Sequence, residues 1–246
     1  MDTIKQYWEK ATPMQFKDEK WSYEKRRQFR YELQDYMHDA IGFDKYKGKR
    51  VLEVGCGSGI DLLEFARNGA ICYGIDLTEN AINMTLESAK QTHKTVIVSR
   101  ASATSIPYDN AFFDTVWSFG VLHHIPEIEI ALGEIKRVLK PDGEVIAMLY
   151  NKDSLLYAYS IYHLHKDNGI PEEKLASQFS ERIEGCPYTK VYSREEAISL
   201  FSKYFRNVEV KTYYNVVDTP EQRKVKLDGD LDHYGFGWHH IVKAIK

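Results

Sequence analysis

The sequence predicts an α/β protein with a mainly parallel, seven-stranded sheet and an antiparallel last strand. From residue 49 to 150, short apolar runs alternate with segments whose apolar residues recur at helical spacing. This alternation is typical of βαβ units, which form parallel sheets. Near the C-terminus, two apolar runs follow each other without a helix between them, which indicates antiparallel neighbours. The 246 residues suffice for one such domain with additions.

Each element has its own sequence signal. Strands are predicted at RVLEVG, AICYGIDL, TVIVSR, FFDTVWSFG and EVIAMLY, and helices at IDLLEFARNG, TENAINMTLESAKQT and EIEIALGEIKRVLK. Thr78 is the expected N-cap of the second helix, and the turn KPDG is expected to stop the third, because proline cannot continue a helix. SREEAISLFSKYF predicts a helix with a capping box between Ser193 and Glu196. The last two strands are predicted at NVEVKTYYNV and WHHIVKAIK.

The composition narrows the class of protein. Hydrophobic residues make up 43% of the chain and charged residues 28%, with a net charge of −3, so there is no basic surplus for a nucleic-acid partner. Cys56, Cys72 and Cys186 lie far apart, which predicts neither a disulfide framework nor a metal site. The N-terminus lacks the apolar run of a signal peptide, and no segment is long enough to span a membrane. We expect a cytoplasmic protein, either a monomer or a homodimer.

The stretch VLEVGCGSG joins the first predicted strand to the loop that follows it, and this loop has glycines suited to a nucleotide ligand. Gly55, Gly57 and Gly59 let the backbone approach a ligand closely. Ile60 stands where the dinucleotide fingerprint GxGxxG has its third glycine, and no GKS or GKT follows, so a dehydrogenase cofactor and a P-loop are disfavoured. Glu53 would repel a pyrophosphate and attract an ammonium or a sulfonium group.

The second predicted strand ends at Asp76, about 20 residues past the loop, where its carboxylate can accept hydrogen bonds from two ribose hydroxyls. The N–H groups at the start of the intervening helix favour a carboxylate as readily as a phosphate. A ligand with a carboxylate, a cation and an adenosine-like ribose fits all of these features. S-adenosylmethionine is such a ligand.

These motifs resemble those of the class I S-adenosylmethionine-dependent methyltransferases, especially the ubiquinone and menaquinone biosynthesis type (methyltransferase domain type 11). The resemblance rests on VLEVGCGSG, GIDLTENAI, SFGVLHHI and ALGEIKRVLKPDGEVIAM. It implies a Rossmann-like, doubly wound fold, S-adenosyl-L-methionine as cofactor and S-adenosyl-L-homocysteine as product, with Asp76 as the ribose ligand. The family usually has Asp-Ala before its Leu-Pro-Phe turn, and that Asp accepts from the adenine amino group. Here Ser102 and Ala103 stand in those places.

Ligands of a doubly wound sheet bind at the carboxyl ends of its strands. The expected cofactor-binding residues are Glu53, Gly55, Cys56, Gly57, Gly59, Asp76, Leu77, Ser102, Ala103, Ser118 and Phe119. His123 follows the fourth strand and is the candidate general base, since the imidazole pKa suits that work. Its neighbour His124 is expected to pack or to cap a turn. Tyr150, Asn151 and His239, at strand ends on the same side, are the candidate substrate residues.

Four segments follow from these assignments. Residues 1–48 form an N-terminal helical cap, residues 49–150 the cofactor-binding core, residues 151–192 a helical, aromatic insert, and residues 193–246 a helix and strand pair that complete the domain. The insert suits a substrate lid, a dimer surface or simple packing. Within the cap, WSYEKRRQFRYELQDYMHDAIGF predicts one helix, and its basic cluster (Lys25, Arg26, Arg27 and Arg30) is expected to be a solvated face.

The resemblance implies in-line transfer of a methyl group to a small-molecule acceptor, with no metal. Two alternatives stay open: a methyltransferase acting on RNA or protein, and a nucleotide-binding partner protein without catalysis. The charge balance and the lack of an Asn-Pro-Pro-Tyr type motif after the fourth strand argue against a nucleic-acid substrate. The intact Glu53 and glycine loop argue against loss of catalysis. Oxygen, nitrogen, carbon and sulfur all stay open as the acceptor atom.

Overall fold

The structure is a computed structural model that describes residues 2–14, 21–181, 183–218, 224–227 and 231–246. Its strands are β1 (Arg50–Val54), β2 (Ile71–Asp76), β3 (Ile97–Arg100), β4 (Phe113–Ser118), β5 (Leu139–Tyr150), β6 (Arg206–Tyr213), β7 (Val216–Asp218), β8 (Lys224–Lys226) and β9 (His239–Ile245). Its α-helices are α1 (Asp2–Met14), α2 (Tyr23–Leu33), α3 (Met37–Ile41), α4 (Ile60–Arg67), α5 (Glu79–Thr92), α6 (Ile128–Val138), α7 (Glu172–Phe179) and α8 (Arg194–Ser202). Short 3-10 turns lie at Phe43–Tyr46, Leu122–His124 and Leu231–Tyr234, and a π-helical segment at Leu156–His163.

Seven strands form one sheet in the order β3-β2-β1-β4-β5-β9-β6. Strands β1 to β5 pair in parallel, whereas β9 runs antiparallel to both of its neighbours, β5 and β6. The predicted sheet is therefore confirmed. The chain winds outward in one direction from β1 to β3 and in the other from β4 to β5, so the sheet reverses between β1 and β4. Ligands of such sheets bind in the crevice at the carboxyl ends of these two strands.

The predicted helix caps are confirmed. The Thr78 hydroxyl accepts a hydrogen bond from the Ala81 amide at 3.4 Å. Ser193 and Glu196 form the capping box, in which the Ser193 hydroxyl accepts from the Glu196 amide and the Glu196 carboxylate accepts from the Ser193 amide. These caps satisfy amides that have no partner inside the helix, and they fix where α5 and α8 begin.

The turn KPDG lies inside β5 rather than in a separate loop. Helix α6 ends at Val138, two residues before this tetrapeptide begins at Lys140, and β5 begins at Leu139. Asp142 has a φ of 60°, and the register between β4 and β5 shifts between Phe113 and Thr115. An irregular strand can absorb extra residues in this way. Strands β7 and β8 form a second, two-stranded sheet that the sequence analysis did not predict, since strands of three residues carry no periodic signal.

The interpretation of the basic cluster as a solvated face is wrong for Arg26, Arg27 and Arg30. Arg30 donates to Asp61 at 2.7 Å. Arg26 is buried and donates to the Ser88 hydroxyl at 2.9 Å. Arg27 donates to both oxygens of Glu64, at 2.5 and 2.8 Å. These contacts pin α2 against α4 and α5. The arginines of α2 therefore face the core side of the helix, because Asp61 and Glu64 of α4 and Ser88 of α5 accept their hydrogen bonds.

The predicted single helix of the N-terminal cap is also divided. Helix α2 ends at Leu33, and α3 begins only at Met37. The Gln34 amide still donates to the Arg30 carbonyl at 3.0 Å, so the break begins just beyond this bond. Phe29, in α2, stays 36% exposed.

Candidate active site

The loop after β1 is shaped by its glycines. Gly55 has a φ of 77°, and an added Cβ would lie 2.1 Å from a methyl carbon of Val121, so no larger residue fits. Gly57 has a φ of 54°, and a Cβ there would meet nothing within 4 Å. The amides of Gly55 and Cys56 both donate to the Ile75 carbonyl, which fastens the loop to the end of β2. The loop therefore presents bare backbone to the crevice at Gly57.

Two cavities meet at this loop. The Asp76 cavity, about 260 Å³, lies along the ends of β2 and β3 and the start of α6, and it is lined by Asp76, Leu77 and Ser102. The Tyr150 cavity, about 250 Å³, lies between the loop and the ends of β5 and β9, and it is lined by Tyr150 and His239. The residues that line both cavities are Trp8, Gly55, Gly57, Phe119 and Gly120.

The structure brings most of the predicted site residues together as the lining of these two cavities. The Asp76 cavity is lined by Gly55, Gly57, Asp76, Leu77, Ser102, Ala103 and Phe119. The Tyr150 cavity is lined by Glu53, Gly55, Cys56, Gly57, Phe119, Tyr150 and His239. The predicted residues outside both linings are Gly59, Ser118, His123 and Asn151.

The side chains of Ser118 and Asn151 hold the framework behind the cavities. Ser118 is fully buried and donates to the Val54 carbonyl at 3.1 Å, which joins β4 to β1. The Asn151 amide donates to the carbonyls of Gly235 and Gly237, both at 2.8 Å. Its carbonyl oxygen accepts from the Asp153 amide at 2.9 Å. These bonds fix the approach to β9, and with it the side of the Tyr150 cavity.

His123 is fully buried behind the wall of the Tyr150 cavity. Its ring packs against Tyr150, with ring centroids 3.9 Å apart, and beside His124 at 4.3 Å. Burial, and next the neighbouring His124, hold the pKa of His123 well below its usual range, so the ring is neutral. A neutral imidazole is the form a general base needs, and that role for His123 stays a prediction.

Asp76 is held in place by the glycine loop and by the start of α5. One carboxylate oxygen accepts from the Gly57 amide at 3.1 Å, and the other accepts from the amide and hydroxyl of Thr78, at 3.0 and 2.9 Å. Burial raises the pKa of the Asp76 carboxyl, and these hydrogen bonds oppose the rise. Because Oδ1 already accepts two hydrogen bonds and Oδ2 only one, Oδ2 still has a lone pair that can accept a hydroxyl from a ligand.

A pair of hydroxyls occupies the position where the resembled family has an aspartate. The Ser102 hydroxyl lies 2.8 Å from the Thr104 hydroxyl, and the Thr104 amide donates to Ser102 at 3.2 Å. Both residues line the Asp76 cavity. Thr104 was missed by the sequence analysis, although its position two residues after Ser102 allows this local bond.

Glu53 and Arg30 face the Tyr150 cavity from opposite elements. Glu53 is 4% exposed, and its Oε2 has no hydrogen-bond partner among the residues that the structure describes. Burial, together with the nearby Asp61, raises the pKa of Glu53 well above its usual range, while Arg30 opposes that rise. Arg30 donates to Asp61 at 2.7 Å and lies 4.1 Å above the ring of Phe119. Arg30 is not among the predicted site residues, because its position in the basic cluster predicted a solvent-exposed side chain.

The rest of the Tyr150 cavity is largely aromatic. The rings of Tyr150 and Trp238 stack with centroids 4.2 Å apart, and Trp8 of α1 lies edge-on to His124 at 4.8 Å. Tyr150 donates its hydroxyl to Glu181 at 3.0 Å. Glu181 belongs to the predicted insert, and the sequence carries no signal that singled it out.

Helix α1 is fastened over both cavities by one carboxylate. Glu9 accepts hydrogen bonds from the amides of Glu79 and Asn80 at 3.2 and 3.1 Å, at the start of α5. A carboxylate at a helix N-terminus is favoured by the unpaired amides and the helix dipole. The helix thereby brings Tyr7 and Trp8 to the cavities.

The described ranges contain neither a candidate metal site nor a helix that could span a membrane. Within these ranges, no three His, Cys, Asp or Glu side chains are grouped so that they could hold a metal ion. In the same part of the chain, every helix is too short or too polar to cross a membrane.

A doubly wound sheet with a glycine loop after β1 and a buried acid at the end of β2 defines a nucleoside-binding α/β protein of the Rossmann-like class. Residues 52–147 match the family model described as "Methyltransferase domain". These residues form a class I S-adenosylmethionine-dependent methyltransferase domain of that family, as the motifs predicted.

The chain is similar to curated proteins that are named as methyltransferases. It is 29% identical to the ubiquinone biosynthesis O-methyltransferase of Coxiella burnetii over 115 residues, 47% of this chain and 49% of the relative. It is 28% identical to the protein of the same name from Pseudomonas entomophila over 189 residues, 75% of each chain. The first match thus spans about half the length of the curated relative.

The fold is shared with solved structures. One is a SAM-dependent methyltransferase of Thermotoga maritima described as a possible histamine N-methyltransferase. It is 18% identical, with a TM-score of 0.55 over 89% of this chain and 97% of that chain. At this identity the likeness concerns the fold alone.

Proposed function

We propose that the protein transfers the methyl group of S-adenosylmethionine to a small-molecule acceptor. The observation that carries this proposal is the pair of cavities that meet at the glycine loop. The nucleoside part of a methyl donor in the Asp76 cavity and its methionine part in the Tyr150 cavity would join beside Gly57 and Gly120, and the acceptor would face them from the Tyr150 and Trp238 side of the Tyr150 cavity. The O-methyltransferase names of the relatives support a small-molecule acceptor.

The residues on the cavity walls fit the cofactor group by group. Oδ2 of Asp76 has a lone pair for a ribose hydroxyl, and Ser102 and Thr104 offer hydroxyls to the base. The unpartnered Oε2 of Glu53 suits the ammonium of the methionine part, and Arg30 suits its carboxylate. A buried carboxylate oxygen that accepts no hydrogen bond costs free energy, and this favours a cationic ligand group beside Glu53.

Bound S-adenosylmethionine supplies a methyl carbon on a positively charged sulfur, so the chain need not create the electrophile. The protein contributes position, and well-oriented reactants can gain about 7–11 kcal/mol from proximity and alignment. Phe119 and Trp8, which line both cavities, exclude water at the junction.

We further propose that the cap (1–48) and the insert (151–192) build the acceptor side of the site on the core. This is supported by the origin of the walls of the Tyr150 cavity, since Tyr7 and Trp8 come from the cap and Glu181 from the insert. The three cysteines are unpaired and buried, which suits a cytoplasmic protein. We propose a monomer or a homodimer.

The cofactor claim is tested by thermal unfolding with S-adenosylhomocysteine and with NAD. We expect S-adenosylhomocysteine to raise the unfolding temperature and NAD to leave it unchanged, because a ligand stabilises the state that binds it. Equal indifference to both ligands would contradict the proposal. Labelling of small-molecule extract, total RNA and protein by radioactive cofactor then tests the acceptor class, and label confined to RNA or protein would favour the alternative.

Cofactor binding is also expected to release a proton from Glu53. Burial raises the pKa of this carboxyl, so it carries a proton more readily than a free one. An ammonium beside it favours the ionised form and lowers the pKa again, so the affinity for S-adenosylhomocysteine rises with pH through this range. Calorimetry at pH 7 in two buffers of different ionisation enthalpy measures the proton count.

Two variants, Glu53→Gln and its control Glu173→Gln, test whether the released proton comes from Glu53. Glu53→Gln is expected to bind S-adenosylhomocysteine more weakly and to lose the proton release, whereas the exposed Glu173→Gln keeps both. In the free protein, the stability that Glu53 contributes by being protonated is present at low pH and is lost as the pH rises through its raised pKa. Undiminished proton release by Glu53→Gln would assign the proton to another group.

A further inference from the structure

Two proton acceptors meet where the two cavities join. His124, in the turn after β4, lines the Asp76 cavity, and Glu181, in the insert, lines the Tyr150 cavity. The Nε2 atom of His124 and the Oε1 atom of Glu181 are 3.6 Å apart. His124 is buried, and the Glu181 side chain is 14% exposed, toward the cavity.

The position of the proton on the His124 ring follows from its neighbours. Nδ1 lies 3.0 Å from the Tyr188 carbonyl and 3.0 Å from the Thr189 hydroxyl. A carbonyl oxygen can only accept, so Nδ1 carries the hydrogen and Nε2 has a free lone pair in the neutral ring. Burial lowers the pKa of His124, while the Glu181 carboxylate and the hydrogen bond to the Tyr188 carbonyl oppose that fall. Nε2 is buried, and none of the residues within the described ranges gives it a hydrogen bond.

Glu181 is fixed against this lone pair by other donors. Its Oε1 accepts from the Tyr150 hydroxyl at 3.0 Å and from the Ser180 hydroxyl at 3.2 Å. A carboxylate and an imidazole lone pair that face each other repel unless a hydrogen lies between or beside them. Among the described residues, Nε2 of His124 therefore lacks a donor, and the adjoining cavity is the direction from which a ligand can supply one.

Resting on the proposed function, we propose that Glu181 and His124 bind the acceptor group and take its proton. The acceptor is then a compound whose nucleophilic oxygen or nitrogen carries a hydrogen, that is, a hydroxyl or an amine. A thioether or a carbon–carbon double bond offers the pair no such hydrogen.

The walls of the cavity indicate the body that carries this group. The stacked rings of Tyr150 and Trp238, and the edge of Trp8, favour a flat apolar body. Glu53, Asp61 and Glu181 line the cavity together with Arg30, which is paired with Asp61. Because Arg30 offsets Asp61 and the cofactor ammonium would offset Glu53, Glu181 is the carboxylate that disfavours an acceptor with a phosphate or a carboxylate near its reactive end.

The bonds balance for either kind of acceptor. The lone pair of the acceptor atom forms the new bond to the methyl carbon, and the carbon–sulfur bond breaks with its electrons kept on sulfur. A hydroxyl gives its proton to the pair and becomes an ether. An ammonium gives its proton to the pair before attack, and the methylated amine leaves carrying the positive charge. Proton removal of this kind contributes typically about 10²–10⁴-fold in rate.

The proposal is tested by ligand binding, with phenol, benzylamine and toluene as probes on the protein saturated with S-adenosylhomocysteine. We expect phenol or benzylamine to bind at least roughly tenfold more tightly than toluene, because a hydrogen bond to a charged acceptor is among the stronger ones. In Glu181→Gln, the preference is expected to fall to about twofold, since the side-chain amide of Gln can donate to His124 itself. Affinity for S-adenosylhomocysteine should stay unchanged.

Glu173→Gln, an exposed exchange of the same kind on α7, should keep the full preference. Equal binding of the three probes to the unaltered protein, or a preference that survives in Glu181→Gln, would overturn the assignment. Which of phenol and benzylamine binds more tightly distinguishes a hydroxyl from an amine acceptor. If the protein does not bind S-adenosylhomocysteine but still prefers phenol or benzylamine through Glu181, the proposed function fails and the binding pair stands.

Discussion

Replacing Asp76 by alanine is expected to weaken the binding of S-adenosylhomocysteine by roughly a hundredfold, or about 2.8 kcal/mol. Oδ2 of the carboxylate has a lone pair for the proposed bond from a ribose hydroxyl, and a hydrogen bond to a charged group is worth about 1.5–3 kcal/mol. It also holds the glycine loop through the Gly57 amide, so the loop loses a support at the same time. Titration calorimetry measures the affinity.

Two further variants separate the ribose role from general damage. Asp76→Asn keeps the volume and one acceptor oxygen, so its affinity should lie between those of the original protein and Asp76→Ala. Asp167→Ala removes an exposed aspartate and should leave the affinity unchanged. Circular dichroism should show the same folded content in all of them. An unchanged affinity in Asp76→Ala would remove Asp76 from the ribose role.

Gly55→Ala is expected to lower the free energy of unfolding by about 3 kcal/mol. Two costs add at this position. A residue with a Cβ is strained at a φ of 77°, and the new methyl would lie 2.1 Å from a methyl carbon of Val121. Because the loop must shift to relieve this contact, binding of S-adenosylhomocysteine should also be lost. Denaturant unfolding, with and without the ligand, measures both effects.

The chain offers a matched control for the backbone strain alone. Gly48 has a φ of 73°, with nothing within 4 Å of an added Cβ, so Gly48→Ala should cost only about 1 kcal/mol. Combining Gly55→Ala with Val121→Ala removes the clashing methyl and should recover part of the loss. Equal costs for Gly55→Ala and Gly48→Ala would show that the contact with Val121 does not matter.

The central sheet could be predicted because its signals are local. Each strand from β1 to β5 contains a short apolar run, the glycine loop follows β1 directly in the chain, and Asp76 ends β2. The antiparallel β9 could be predicted because no helix fits before it. Such features depend on neighbours in sequence, which a reader of the sequence can see.

The pairing of distant residues could not be predicted in this way. The face of α2 that bears Arg27 and Arg30 looks like a solvated surface until Glu64 and Asp61 are known to face it. Likewise, Asn151 at the end of β5 looks like a site residue, yet its amide is used on the backbone before β9. Glu181 acquires its partners only when the insert folds back on β5.

The two hydroxyls at the mouth of β3 bear on how strictly the base of the cofactor is recognised. A carboxylate can only accept hydrogen bonds, so an aspartate in that place selects a purine with an amino group. Ser102 and Thr104 can donate as well as accept, so in the proposed role they would serve an amino or a keto purine equally. Discrimination among purines then passes from hydrogen bonding to the shape of the walls around Ile125 and Leu77.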